Sequence, residues 1–554
     1  MISSYKNVRP PLLICFSLVA LCISNSLSAD FLSDYMQDDC QFIDKIDDES
    51  FDLMEAQSKC GCPLSLTSTF VDPATIVDIL NGFGIIDLLK QSFFKRANTL
   101  AWRNPLDYTL VERVPYHQEE PWRAGLFIWA DKTPNCNYTK SGTQLKDYLA
   151  LFEETVIQAI EEGFKNQDVL TFDPRVIFEV VQDMRIEDRT AGFMLYGMRQ
   201  WEKLQLRIYA PLYYHERNFF LTETQLDTIK FELNQSSDDS FRQEHAISDR
   251  FGLGDTRIEA AFTVCEKPAI NCYAGVQFTL PTAFTMFKGW NGTLFPKPCC
   301  YPEVPFDVVW QAVIDAINGT ITQVQILRVQ AIAEAFFLGA TDRLAANLLD
   351  PQLGNGGHIG LGGFACTESP IYEFCARDTI FKGSWINRWY LEFLLPNTQK
   401  RFFIAKHNAA LFDEHDFTNN DEAAENLLFL QNEIVNKFNL IAFNTYVQPQ
   451  AIFRWTSMIN HASDALNVYY GANFWVQGHD YLGSIRGPLE TIATLDKRKS
   501  IPPMAYQFKA LAGLSYSWKE DDAIVTVAID GDATVLKSGI GRDYMLALRV
   551  DASF

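Results

Sequence analysis

The last thirteen residues of the chain alternate between apolar and polar side chains, and this pattern most constrains the fold. One face carries Tyr544, Leu546, Leu548, Val550, Ala552 and Phe554, and the other carries Asp543, Arg549, Asp551 and Ser553, with Met545 and Ala547 between them. Because successive side chains of a strand point to opposite sides, the segment predicts a strand with one apolar face. Such a long apolar edge invites aggregation in water, whereas a strand that closes a barrel in a bilayer requires it. We therefore predict a transmembrane β-barrel.

The same two-residue period recurs between about residue 101 and the C-terminus. The clearest segments are 204–212, 257–264, 274–280, 385–395, 447–456, 466–477 and 504–518, and weaker candidates lie near 106–115, 122–131, 174–184, 191–199, 357–367 and 523–533. This spacing predicts an all-β, antiparallel transmembrane barrel of about 14 strands, within a range of about 12 to 16. The predicted barrel covers residues 101–554.

Charged side chains collect on the faces opposite the apolar stripes. If the apolar faces meet lipid, the lumen-facing candidates are Lys203, Arg207, Arg257, Glu259, Arg388, Glu392, Arg454, Lys509, Arg549 and Asp551. Rings of opposite charge can create a transverse field that orders water and screens solutes. Alternatively, the same residues form salt bridges that fill a narrow interior. The sequence favours neither interpretation.

The N-terminal hundred residues differ from the rest. Residues 1–29 combine two early cations, an apolar stretch and small residues at 26–29, which predicts a signal peptide; a retained signal anchor is the alternative. Residues 30–100 are acidic, contain three cysteines and include an apolar helical stretch at 74–90. This region is either a plain N-terminal extension or a plug folded into the barrel lumen.

Three later segments show helical periodicity, near 145–165, 306–349 and 421–438. Several charged residues in 306–349 argue against a membrane-spanning helix. In a barrel these helices belong to long loops on one side or to a constriction of the lumen. The alternative is that they pack on a soluble sheet as ordinary core helices.

Composition excludes some classes of function. The net charge of −22 and the pI of about 4.8 argue against nucleic-acid binding. Mean hydropathy is −0.07, and no stretch after the N-terminal segment is long and apolar enough for a helical membrane protein. We find no nucleophile elbow, phosphate-binding loop or zinc-hydrolase motif, so we expect neither an enzyme nor a cofactor.

Twelve cysteines are present, and two of them, Cys15 and Cys22, lie in the predicted signal peptide. The ten that remain are Cys40, Cys60, Cys62, Cys136, Cys265, Cys272, Cys299, Cys300, Cys366 and Cys375. An even number in an exported chain favours disulfides, and the spacing lacks the histidine or paired motifs of a metal site. Cys265 and Cys272 flank a short predicted turn and Cys366 and Cys375 a predicted loop, so each pair could join the base of its loop. The connectivity stays open.

One local stretch carries a resemblance to a known class. Residues 251–258, Phe-Gly-Leu-Gly-Asp-Thr-Arg-Ile, and residues 275–282, Gly-Val-Gln-Phe-Thr-Leu-Pro-Thr, resemble a hairpin of bacterial outer-membrane β-barrels. The terminal strand ending at Phe554 resembles the C-terminal signal of that superfamily, which implies recognition by the barrel-assembly machinery. The resemblance identifies the class and no specific family.

The resemblance implies a protein of the bacterial outer membrane that contacts lipid and acts as a porin-like channel or transporter for small solutes, with a homo-oligomer as one option. A surface structural protein or adhesin with disulfide-stapled loops is the first alternative. A secreted soluble β-rich binding protein or hydrolase is the second. Channel conductance and detergent extraction separate these three hypotheses.

Overall fold

The computed structural model describes most of the predicted barrel and short parts of the N-terminal region. The described residues are 72–82, 85–90, 121–136, 185–232, 246–289, 304–318, scattered positions from 320 to 346, and 348–376, 379–406, 409–438 and 441–554. The predicted signal peptide, the strand candidates at 106–115 and 174–184, and the helix at 145–165 lie outside these residues.

Seventeen strands form within the described residues. They are β1 (Trp122–Thr133), β2 (Arg185–Trp201), β3 (Leu204–Phe220), β4 (Ile247–Leu253), β5 (Thr256–Lys267), β6 (Ile270–Leu280), β7 (Phe284–Lys288), β8 (Gly360–Ala376), β9 (Thr379–Leu394), β10 (Asn397–Phe403), β11 (Ile441–Gln448), β12 (Ile452–Ala462), β13 (Leu466–Gln477), β14 (Tyr481–Arg486), β15 (Ala505–Glu520), β16 (Ala523–Ser538) and β17 (Tyr544–Ser553).

Twelve of these strands close into an antiparallel barrel. Around the ring the order is β1-β2-β3-β5-β6-β8-β9-β12-β13-β15-β16-β17, and β17 pairs with β1. The backbone of Trp122 exchanges hydrogen bonds of 3.1 and 2.9 Å with Phe554, so the ends of the barrel sequence are joined. The whole sheet has the expected 14 strands, and the ring of twelve lies within the expected range of about 12 to 16, because β4 and β7 belong to the same sheet but lie outside the ring.

The two ends of the barrel differ in their connections. Short turns join β2 to β3, β5 to β6, β8 to β9, β12 to β13 and β15 to β16 at the end where Trp122 and Phe554 also lie. We call this the short-turn end. At the opposite end, the loop end, four described connections (β3 to β5, β6 to β8, β9 to β12 and β13 to β15) carry additional strands and helices, and five residues join β16 to β17. This asymmetry is typical of outer-membrane barrels.

Strands β4 and β7 extend the barrel wall beyond its loop end. β3 pairs with β5 through residues 204–209 and with β4 through residues 212–218, so β4 and β5 run in the same direction along one neighbour. The Gly254–Asp255 step is therefore a break within one line of strand, and the hairpin that the resemblance implies forms between β5 and β6. Thr282 bridges this break to the matching break between β6 and β7, since its hydroxyl donates to Gly254 O and accepts from Thr256 N.

A separate three-stranded sheet, β10-β11-β14, stands on the loop end. The predicted single strand at 447–456 is wrong, because Val447 belongs to β11 of this small sheet and Phe453 to β12 of the barrel. The chain leaves one sheet for the other between Gln448 and Ile452. Alternation alone could not reveal the break, because the apolar residues keep the same spacing across it.

The helices of the described residues are α1 (Pro73–Gly82), α2 (Ile85–Leu89), α3 (Glu223–Glu232), α4 (Phe306–Ile317), α5 (Ala409–Asp413), α6 (Ala423–Phe438), preceded by a 3₁₀ turn at Asn420–Glu422, and α7 (Leu489–Ala493). Within the expected segment 306–349, α4 ends at Ile317, and several of the described residues between 324 and 349 are helical again. Helices α1 and α2 pack against α6, and Ile76, Leu80, Trp310 and Leu430 join one apolar cluster. The described part of the N-terminal region thus packs against the loop-end helices.

The outer face of the barrel is an exposed apolar belt to which every barrel strand contributes. One member from each strand, in ring order, is Ile128, Phe193, Leu206, Phe262, Phe278, Leu361, Leu391, Phe453, Val468, Leu514, Ile529 and Leu548. The terminal strand has the predicted faces, since Leu546 and Val550 are exposed while Arg549 and Asp551 are buried. A continuous apolar belt of this kind is costly in water and is expected in contact with lipid.

Candidate functional site: the barrel interior

The inner face of the barrel holds most of the charged residues singled out in the sequence. Nine of the ten lie on strands with their side chains buried inside the barrel: Arg207, Arg257, Glu259, Arg388, Glu392, Arg454, Lys509, Arg549 and Asp551. Lys203 does not, because it lies in the two-residue turn between β2 and β3 and is exposed at the short-turn end. Alternation assigned Lys203 to the inner face because it shares the parity of Arg207, but the strand begins only at Leu204.

An apolar and aromatic surface lines the inner wall along β1, β2 and β3; we call it the aromatic strip. Antiparallel pairing arranges its residues in three successive rows. The rows are Gly125–Tyr196–Tyr209, Phe127–Met194–Pro211 and Trp129–Gly192–Tyr213. Rows on one face are two residues apart, so the strip is about 13 Å long at 3.3 Å per residue. Met198, Ala547 and Met545 extend the same apolar cluster.

Ring contacts and glycines shape this strip. Phe127 and Tyr196 have ring centroids 5.4 Å apart, and Trp129 and Tyr213 are 6.0 Å apart across Gly192. A Cβ on Gly192 would lie 2.4 Å from Cβ of Tyr213, so a larger residue would displace that side chain. The glycine therefore permits the two large rings to meet across three strands.

Charged rows border the strip at both ends. Toward the short-turn end, Arg123 binds Asp551 through its Nε, at 2.8 Å, and its Nη2, at 2.7 Å. Arg207, in the same row as Arg123, donates to Gln205 and to the hydroxyl of Tyr209. Toward the loop end, His215 Nε2 lies 2.7 Å from a carboxylate oxygen of Asp188. The strip is thus an apolar zone enclosed between two polar layers.

A second group of charges occupies the opposite inner wall. Arg454 lies 3.9 Å from Glu392, donates to Gln277 Oε1 at 3.0 Å, and holds its guanidinium 4.5 Å from the centre of the Tyr390 ring. Thr279 donates its hydroxyl hydrogen to the other oxygen of Glu392. These contacts join β6, β9 and β12 inside the barrel. They match the interpretation in which charges fill the interior as ion pairs.

A third group lies near the loop end on β15, β16 and the following turn. Lys509 binds Asp532 at 3.4 Å and also binds Asp543. Gln507 donates to Asp543 at 3.0 Å, and the hydroxyl of Thr534 donates to the same carboxylate. A single ammonium therefore contacts two buried carboxylates, and the hydrogen bonds from Gln507 and Thr534 further stabilise Asp543.

The loop before β8 reaches over the aromatic strip. Leu353 is buried in the strip's apolar cluster although it belongs to no strand. The next residue, Gly354, has φ of +68° and donates its N–H to the Tyr213 hydroxyl at 2.9 Å. Asn355 donates its N–H to Asp255. Because both bonds anchor the loop to the barrel wall, Leu353 is held at the mouth of the strip.

His358 fixes the other side of this loop. Its Nδ1 lies 2.8 Å from Leu395 O and its Nε2 lies 2.8 Å from Gln399 Nε2, which also donates to Gly356 O. The carbonyl requires a proton on Nδ1 and the amide requires a lone pair on Nε2, so the imidazole is neutral. Burial lowers the pKa of His358 below its ordinary value, in agreement with that state.

Some buried donors of the inner wall have no protein acceptor. Within the described residues, the indole N–H groups of Trp129 and Trp475 and the hydroxyl of Tyr469 make no hydrogen bond. Buried polar groups in folded proteins nearly always have a partner, which is water or a ligand where no protein group serves. These three groups are therefore positions where water or a solute is expected inside the barrel.

The cysteines divide into one pair and several separate positions. Cys265 and Cys272 are register partners on β5 and β6, next to the two-residue turn, and both are free thiols. The suggestion that Cys366 and Cys375 close one loop is wrong, because both lie on β8, nine residues apart along one extended strand. Cys136 is buried and free. The candidates Cys40, Cys60, Cys62, Cys299 and Cys300 lie outside the described residues.

Sequence reasoning found the charges of the interior and missed the aromatic strip. The signal was available, because Met194, Tyr196 and Met198 alternate with Phe193 and Leu195, so both faces of β2 are apolar. Because both faces of β2 are apolar, alternation alone did not indicate which face points into the barrel. The contribution of Leu353 had no signal, since the residue lies in a loop that is distant in sequence from the strands it contacts.

No described helix is long and apolar enough to cross a membrane. No group of three or more histidine, cysteine, aspartate or glutamate side chains within the described residues is arranged to hold a metal ion.

Comparisons with known proteins return outer-membrane barrels at low similarity. No family model and no curated protein matches the sequence. An outer-membrane channel from Pseudomonas putida F1 is 8% identical and covers 80% of this chain and 99% of that chain, with a TM-score of 0.36. The transport unit of the autotransporter AIDA-I from Escherichia coli is 8% identical and covers 87% and 100%, with a TM-score of 0.32. The toluene transporter TodX of Pseudomonas putida is 8% identical and covers 84% and 96%, with a TM-score of 0.25. At TM-scores this low, the description of the barrel rests on its own strand pairing.

Proposed function

We propose that the protein is an outer-membrane channel for small apolar or aromatic solutes, with the aromatic strip as the zone where the solute rests. The observation that carries this proposal is the strip itself. Three rows of apolar side chains lie inside a closed barrel, between two charged layers. A barrel with a purely structural role could fill this part of its interior with polar pairs. The exposed belt supports a position in the membrane.

The arrangement favours a weakly polar solute over an ion. An ion passing the strip would exchange its hydration for aromatic and thioether groups, which is costly, whereas an apolar ring gains contact area and ring stacking there. The indole N–H of Trp129 offers one hydrogen bond for orientation. Leu353 closes the loop-end side of the strip and must move for a solute to enter from that end.

Methionine methyl groups give a direct test of solute binding. Met194, Met198 and Met545 lie in the strip's cluster, while Met504 is exposed outside it. In spectra of protein with labelled methionine methyls, p-xylene is expected to shift the three strip signals through its ring current and to leave Met504 unchanged. Equal shifts at all four positions, or none at the strip, would contradict the proposal.

Transport is tested separately from binding. Leu353→Ala is expected to raise the uptake of a fluorescent aromatic probe into cells that produce the protein, because it removes the side chain that covers the strip. Ile359→Ala is the matched control, since Ile359 belongs to the same connection but is exposed. Equal uptake by both variants would argue against a path past Leu353.

A surface structural protein is the second candidate, and the filled interior favours it. Glu392, Arg454 and Lys509 are almost completely buried, and a barrel packed with ion pairs need not conduct. Planar-bilayer recording of the folded, purified protein separates the candidates. Conductance steps that respond to Leu353→Ala support the channel, and their absence supports the structural role.

In either case, Phe554 is proposed as the signal for the barrel-assembly machinery.

A further inference from the structure

The outer surface of the barrel carries an arginine held between two indoles at the short-turn end. Trp122 and Arg199 are register partners on β1 and β2, and Trp201 follows Arg199 by two residues, so all three share the outer face. The guanidinium carbon of Arg199 lies 4.4 Å from the ring centre of Trp122 and 4.6 Å from that of Trp201. Both contacts are cation–π interactions.

Within the described part of the chain, Arg199 makes no ion pair and no hydrogen bond, and its side chain contacts the two indoles. Other exposed or half-buried arginines differ, since Arg189 pairs with Glu187 and Arg250 with Asp350. The indoles fix the guanidinium, and no acceptor among the described residues binds its N–H groups. A planar group with several fixed donors binds the oxygens of a phosphate especially well.

The position of this group matches the border of the apolar belt. Phe193, an exposed member of the belt, precedes Arg199 by six residues on the same face, which is about 20 Å along the strand. The apolar band of outer-membrane barrels is about 25 Å tall and is bordered by aromatic residues. Arg199 therefore stands at the depth of lipid head groups, with Leu195 and Phe193 beneath it for an acyl chain.

We propose that Arg199, Trp122 and Trp201 form a binding site for the phosphate group of a glycerophospholipid. The proposal rests on the membrane position in the proposed function and is independent of solute transport. Charge favours a lipid over free phosphate, because a chain of net charge −22 repels dissolved anions, whereas a lipid gains apolar contact with the belt.

Native mass spectrometry of the folded protein in detergent, titrated with dioleoyl phosphatidylethanolamine, tests the site. We expect Arg199→Gln to bind the lipid about tenfold more weakly than wild type, since a hydrogen bond to a charged group is lost. Arg199→Lys is expected to fall between the two, because it keeps the charge and loses the planar donors. The heat-dependent gel mobility of each variant reports folding.

Lys267→Gln is the matched control. Lys267 is exposed at the same end of the barrel, and the substitution removes the same charge at a position outside the Trp122–Arg199–Trp201 group. Equal lipid binding by Arg199→Gln and wild type, or an equal loss in Lys267→Gln, would overturn the proposal. Displacement of the lipid by millimolar inorganic phosphate would show that the site binds free phosphate and would overturn the proposal of a lipid.

Trp201→Leu, which keeps the arginine, is expected to weaken lipid binding as well. Solute shifts at Met194 test the channel independently of these results.

Discussion

Gly125 of β1 and Tyr196 of β2 are register partners on the inner wall, and a Cβ atom on Gly125 would lie 2.5 Å from Cζ of Tyr196. The ring covers the glycine and lies against the wall. The same relationship joins Gly513 to Tyr469 and Gly275 to Phe364, again between register partners. Glycines opposite aromatic residues thus decide where large rings fit inside this barrel.

Gly125→Ala is expected to destabilise the barrel by about 1–3 kcal/mol, because Tyr196 must leave its position and overpack the strip. The urea concentration at half-unfolding, followed by gel mobility, measures the effect. Gly197→Ala is the control on the neighbouring strand, since its Cβ would meet only Ile208 Cγ2 at an ordinary 3.7 Å. Equal destabilisation by the two variants would show that Tyr196 is free to move.

The buried pair Arg454–Glu392 is expected to behave as a unit. Glu392→Gln or Arg454→Met alone leaves a partner charge buried and should cost about 3–5 kcal/mol. The double variant should cost less than the sum of the two, with a coupling energy above about 1 kcal/mol, because no unpaired charge remains. Unfolding free energies of the four proteins in one detergent provide the cycle. Strict additivity would mean that other groups neutralise each charge.

The loop around His358 is expected to loosen in acid. Burial lowers the folded-state pKa of His358, so the neutral ring is preferred in the folded loop. Above the unfolded pKa of about 6.5 the histidine adds no pH dependence, and stability falls as the pH drops from there toward the folded pKa. Hydrogen exchange of residues 353–358 should therefore accelerate between neutral and mildly acidic pH.

His358→Asn is the control for this pH dependence. Asparagine keeps an N–H donor near the position of Nδ1, which contacts Leu395 O, and does not titrate. In this variant, we expect the hydrogen exchange of residues 353–358 to lack the acceleration that protonation of His358 causes in the wild type. If the wild type and the variant show the same pH profile, another group controls the loop.

Cys265 and Cys272 are expected to form a disulfide under mild oxidation. Directly opposite residues of an antiparallel pair have Cα atoms about 4.5–5.5 Å apart, within the range that a disulfide spans. Mass spectrometry of peptides after oxidation and alkylation measures the product. Cys265→Ser should leave Cys272 alkylated, while Cys375→Ser should leave the cross-link intact. If the cross-linked peptide containing Cys272 persists in Cys265→Ser, the disulfide does not join Cys265 to Cys272.

The prediction of a barrel from the terminal strand succeeded because a bilayer imposes a simple rule on each strand. Leu546, Leu548 and Val550 face outward, and Arg549 and Asp551 face inward, as their alternation indicates. The expected range of about 12 to 16 strands includes the ring of twelve, and the central value of 14 matches the whole sheet, because alternation cannot distinguish a strand of the barrel from its continuation. Strands β4 and β7 have the correct pattern and yet lie beyond the ring.

The errors share a physical cause. Lys203 and Val447 were assigned from local pattern, and each is decided by the partner strand. The position of a turn or break depends on where pairing ends, which is a property of two segments. Local side-chain alternation carries no information about it.

The class of fold, the polarity of each strand face and most of the inward charges follow from side-chain alternation, because they depend only on the two-residue period and on the solvent outside the barrel. The tertiary structure decided which charges meet, as Arg454 meets Glu392, and which apolar side chains form the aromatic strip. It also placed Leu353 over that strip and Arg199 between two indoles. These contacts join residues distant in sequence or on separate strands, and register and closure of the ring bring them together.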